Sequence, residues 1–106
     1  MSAMTNPTAA DMNRDVRLAK ALVRAPADER AGACRERLGG YLALLAEDAG
    51  ARVRRMEADR ARDVAEGTVR LARHLLVERT GEDPAAVLRL RAGVVEQLLR
   101  FGARPL

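Results

Sequence analysis

A chain of 106 residues fits one domain and can close an apolar core without disulfides or a metal. One Phe, one Tyr and no Trp leave that core to Leu, Val and Ala, a palette that favours helices over strands. Eighteen Arg and one Lys against fifteen acidic residues give +4 with the signs interspersed, which argues against a segregated nucleic-acid face with stacking aromatics.

Residues Met1–Pro7 are small and polar and are expected to form a disordered arm. Thr8, with Asp11 three residues on, predicts the cap of a first helix that runs to about Arg24 and stops before Pro26. Its apolar side carries Met12, Val16, Ala19 and Leu22, with Asp15 among them. A second helix is expected from Ala27 or Asp28 to about Arg55, with Ala31, Cys34, Leu38, Tyr41, Leu42 and Leu45 on one side. Beside them runs a line of small residues, Gly32, Gly39, Ala43, Ala46 and Gly50, which predicts close helix crossings. A ligand groove is the other use of such a line.

The apolar phase shifts near Met56–Asp59, which predicts a tight turn. A third helix follows from Asp59 to about Arg79, with Val64, Ala65, Leu71, Ala72, Leu75 and Leu76 expected inward. Thr80-Gly81 reads as its stop, with Gly81 left-handed. Asp83-Pro84 then supplies a cap and a first-turn proline for a fourth helix that ends near Phe101. Three short connections imply antiparallel neighbours, hence an all-α, up-down four-helix bundle over residues 8–102 with a tail at 103–106.

The fourth helix has more apolar surface than one face needs. Its apolar residues cover an arc of roughly 200°, where a core-facing stripe takes about 100°. Arg91 falls near the middle of that arc. The surplus predicts a partner surface of Leu88, Arg91, Val95 and Leu99, with Leu44 of the second helix as a further contact. Asp15 has the mirror-image problem on the first helix. A buried unpaired charge costs several kcal/mol, so Asp15 and Arg91 are the expected ion pair, across the bundle or across a dimer seam.

No arrangement carries a recognisable chemistry. His74 is the single histidine and Cys34 has no partner at metal-ligand spacing, so no metal or cofactor is expected. Cys34 and Tyr41 read as core and boundary residues, Tyr41 with a wet hydroxyl. Arg52, Arg54, Arg55, Arg60 and Arg62 form the densest basic run, interrupted by acidic residues and read as a self-paired surface. One cysteine, no secretory leader pattern and no long apolar span lead to the expectation of a cytoplasmic protein.

Three stretches carry a resemblance: Arg35-Glu36-Arg37-Leu38-Gly39-Gly40-Tyr41-Leu42-Ala43-Leu44-Leu45, Ala61-Arg62-Asp63-Val64 through Arg70-Leu71, and Arg89-Leu90 followed by Val94-Val95. In these the chain resembles a small actinobacterial all-helical family of unknown function, often labelled natural product biosynthesis protein. The likeness spans about Asn13 to Phe101. It departs at Tyr41, where the family often has His, and at Glu47, where it often has Pro. The resemblance implies a setting near secondary metabolism and no catalytic residues.

These observations point to a non-enzymatic helical interaction module, accessory or regulatory, with a protein partner or a second copy of itself in a homodimer. A small helical enzyme of the chorismate mutase type is the alternative from another class. Such sites need cations converging on a dicarboxylate, usually including a Lys on the long helix, and Ala27–Arg55 contains none. A nucleic-acid-binding regulator is the third reading.

Overall fold

The capping chemistry written in the sequence sets three of the four helix starts. The computed structural model describes residues 6–77 and 83–103, and places four helices there: α1 (Ala9–Leu22), α2 (Arg30–Val53), α3 (Arg60–Val77) and α4 (Pro84–Ala103). No strand occurs among the described residues, so the chain is an all-α four-helix bundle. Thr8 Oγ1 accepts from the Asp11 amide at 3.1 Å, and Asp11 returns the bond to the Thr8 amide at 3.0 Å. Asp59 accepts from the Arg62 amide at 2.9 Å, and Asp83 from the Ala85 amide at 3.0 Å, just past Pro84.

α2 starts later than expected. Asp28 accepts from the Arg30 amide and bidentately from its guanidinium, with distances of 2.9 to 3.1 Å. This local turn holds residues 25–29 out of the helix. α2 ends at Val53 and α3 opens at Arg60, with the predicted turn between them. The Thr80-Gly81 stop, most of the N-terminal arm and the tail beyond Ala103 lie outside the described residues.

α2 and α4 each pack on all three other helices, whereas α1 and α3 do not touch. The bundle is therefore rhombic, with α2–α4 as its short diagonal, and it measures 44 × 37 × 21 Å. The short dimension is about two helix diameters. Leu38, Leu42, Leu88, Val95 and Cys34 form the fully buried centre. α4 buries Leu88, Ala92, Val94, Val95 and Leu98, an arc of roughly 160°. Its width comes from having neighbours on three sides. Leu88 and Val95, expected from the sequence at a partner surface, therefore lie inside the monomer.

Arg91 lies within that arc and is only half-buried. Its Nη1 donates to the main-chain carbonyl of Arg35 on α2 at 2.7 Å. Gly39 makes this approach feasible. A helical Cβ tilts over the turn N-terminal to it, and a Cβ at position 39 would stand 3.1 Å from Arg91 Nη1. No described glycine has a positive φ, so what Gly39 offers is space and not a left-handed backbone. Neighbouring Gly40 faces open space.

Adjacent glycines should therefore respond oppositely. Gly39→Leu is expected to destabilise by about 1–3 kcal/mol through overpacking against Arg91. Gly40→Ala is expected to stabilise by up to about 1 kcal/mol through helix propensity. Urea unfolding of the two variants checks both signs.

Candidate functional site

Asp15 is the one buried charge among the described residues, 7% exposed at the α1–α2 seam. It does not pair with Arg91, as expected from sequence. Arg37 of α2 reaches it bidentately, Nε to Oδ2 and Nη2 to Oδ1, both at 2.9 Å. The Tyr41 hydroxyl donates to Oδ2, and the Cys34 thiol donates weakly to the Asp15 main-chain carbonyl at 3.7 Å. The physical reason for the correction is reach. Arg37, Tyr41 and Cys34 sit on successive turns of α2 facing α1, while Arg91 already has its acceptor in the Arg35 carbonyl.

Each member responds to its neighbours. The Arg37 guanidinium holds the Asp15 carboxyl below its ordinary 3.8, against the opposing effect of burial. Burial first, then the Asp15 carboxylate, pushes the Tyr41 phenol up to about 12. Burial likewise raises the Cys34 thiol. Tyr41 is thus a buried, hydrogen-bonded phenol, not the wet boundary residue read from sequence. Cys34 is 0% exposed and is the opposite of an activated nucleophile. The cluster joins α1 to α2; it presents no reactive group to solvent.

This sets a pH dependence. A carboxylate with a depressed folded pKa contributes stability that is complete above its unfolded pKa, near 4, and is lost as pH falls through the folded value. Asp15→Asn should therefore be less stable than the parent at pH 6, with the difference shrinking below pH of about 4. Asp15→Ala, which also strands the Tyr41 hydroxyl, is expected to cost about 3 kcal/mol. Arg37 is 45% exposed in its side chain, so solvent screens its share and Arg37→Met is expected to cost no more than about 1–2 kcal/mol. Denaturant melts across pH check all three.

The interface expected from sequence is mostly interior. Leu88 and Val95 are 0% exposed, packed inside the monomer, and Leu99 is half-buried against the same core. Neither Leu88 nor Val95 can meet a partner without unfolding α4. Leu44 alone of that set stands clear, at 42% exposure. The third helix differs too. Ala65, Val69, Ala72 and Leu75 face inward, whereas Val64, Leu71 and Leu76 are left exposed. His74 lies on the exposed side of the last turn of α3. Among the described residues no three His, Cys, Asp or Glu side chains assemble as metal ligands.

The exposed edge of α3 belongs to a half-open cleft of about 710 Å³. The end of α2 (Arg52), the following turn (Met56), the start of α3 (Arg60 to Thr68) and the end of α4 (Gln97 to Phe101) enclose it. Met56, Ala61, Val64, Ala65, Leu98 and Phe101 make an apolar floor, and Arg52, Arg60 and Arg100 stand round it. Among the described residues no carboxylate lines it. The Arg52 guanidinium lies 5.3 Å from the Phe101 ring centroid, a cation–π contact. Its Nε is buried without a hydrogen-bond partner, a donor left short by about 1–3 kcal/mol. Arg62, by contrast, is taken up at the cleft's edge, donating to Glu66 at 3.0 Å and to the Met56 carbonyl at 3.1 Å.

Arg52 and Arg60 lie in the basic run read from sequence as self-paired. Among the described residues neither has an ion pair, and Arg100 has only a long one, 3.8 Å to Glu96. The only sequence signal for the cleft was that run together with the lone Phe101, residues some forty to fifty positions apart. Comparison of the chain with protein-family models, curated proteins and solved structures gives no match.

Proposed function

We propose that this chain is a non-enzymatic helical interaction module, an accessory or regulatory protein that docks a protein partner at the α2–α3–α4 cleft. The observation that carries this reading is an apolar floor, with Val64 63% exposed at its edge, framed by arginines with no carboxylate among the described residues that line the cleft. Apolar surface gathered within a polar rim is what a docking surface requires. A link to natural product biosynthesis is part of the proposal and rests on the sequence resemblance of the three stretches, Arg35–Leu45 foremost. So is a cytoplasmic setting, supported by the lone thiol of Cys34. No helix among the described residues is long and apolar enough to cross a membrane.

The same three arginines favour a second reading, the small helical enzyme of the chorismate mutase type, which needs cations around a dicarboxylate. Against it, Arg60 is exposed and the Arg100 side chain is 70% exposed, so water screens their fields. The purified chain is expected to leave the absorbance of a chorismate solution at its uncatalysed rate; faster decay would favour the enzyme.

A photo-crosslinking residue placed at position 64 in the source organism tests the docking reading. The expected result is a discrete adduct from position 64 and none from position 44, with the adduct lost in the Arg60→Glu, Arg100→Glu background. Adducts from position 44 alone, or from neither position, would overturn it.

A further inference from the structure

The apolar surface does not stop at the cleft. α3 begins where α4 ends, so the two helices run in opposite directions. Leu71 lies seven residues beyond Val64, on the same face of α3, and is 42% exposed. Leu90 lies seven residues before Gln97, on the same face of α4, and is 44% exposed. Both continue the cleft by about 10 Å, two helical turns. A small ligand would fill the cleft and leave these two leucines in water. A helix with apolar side chains at i, i+4 and i+7 would cover both.

Charge then selects among helices. Every charged residue described as lining the cleft is a cation: Arg52, Arg60 and Arg100. A second copy of this chain, at +4, would bring the same arginines against each other in a two-fold contact. An acidic partner would meet them with opposite charge. We propose that the α3–α4 face, from the cleft to Leu71 and Leu90, receives an amphipathic helix of a different protein, apolar on one face and acidic at the end that enters the cleft. This rests on the docking reading above and adds the chemistry of the partner.

A displayed library of helical peptides of about 14 residues, four turns, with randomised surface positions, tests it on the full chain. The expected binders carry Leu-type residues at i, i+4 and i+7 and Asp or Glu clustered at one end. Their binding should shift the amide resonances of Val64, Leu71, Leu90 and Phe101. It should weaken about tenfold in Arg60→Glu, Arg100→Glu, whose sites are exposed and leave the fold intact, and weaken further with salt. Replacing the peptide's acidic residues by Lys should restore binding to that variant, a charge swap that a merely structural role of the arginines would not produce. Enrichment of neutral or basic peptides, or binding that maps away from the α3–α4 face, would overturn the proposal. So would displacement of selected peptides by decanoate at equal concentration, or a concentration-dependent dimer that buries Val64. A crosslinked partner at position 64 together with no acidic binders would refute the acidic helix and leave the docking reading standing.

Discussion

The packing of α2 on α4 is the constraint around which the other contacts are arranged. A core with one Phe and one Tyr cannot span a wide space between helices, so the backbones must come close and each large apolar helix must serve several neighbours. α4 answers this by burying nearly half its circumference, and α2 by keeping its contact faces small at Ala31, Gly39, Ala46, Ala49 and Gly50. α1 and α3 then lie on either side of the short diagonal without meeting. Because α3 packs on α2 and α4 with a narrow stripe of Ala65, Val69, Ala72 and Leu75, its adjoining edge is left over, and that edge becomes the cleft.

Arginine is used here for its shape as much as its charge. The Arg37 fork grips both oxygens of Asp15; Arg91 reaches a main-chain carbonyl across a glycine; Arg62 divides itself between a carboxylate and a carbonyl; Arg52 lies on an aromatic ring. The grip on both Asp15 oxygens needs a planar group with several fixed donors, which an ammonium does not supply. A composition of eighteen Arg to one Lys, easily dismissed as a compositional bias, therefore has structural content at Arg37. In a core poor in aromatics, guanidinium groups provide planar bulk at its margins.

Local chemistry was legible in the sequence and tertiary partnership was not. Thr8 with Asp11 and Asp83 with Pro84 could be read because a cap is satisfied within four residues. The anomalous placement of Asp15 and Arg91 could be read from periodicity, because a charge inside an apolar arc breaks a pattern. Their partners could not. Arg37 lies outside the apolar stripe of α2 and reaches Asp15 only through its long side chain, and the Arg35 carbonyl belongs to the backbone and leaves no residue-type signal. The width of the α4 arc was visible, but periodicity counts apolar positions and cannot distinguish three neighbours in one chain from one neighbour plus a partner. The cleft was the least legible feature, since it exists only where the ends of three helices converge.

Arg91 anchors to a main-chain oxygen, and this places an unusual pattern of freedom on the residues involved. The side chain at position 35 contributes nothing to the bond that bears its number, so evolution can rewrite it without touching the α2–α4 joint. Position 39, which makes no hydrogen bond through a side chain at all, is the one that must stay small for as long as position 91 stays long. Among descendants of this chain, sizes at 39 and 91 should drift together while identity at 35 wanders, so that covariation would point to a residue whose contribution is its missing side chain.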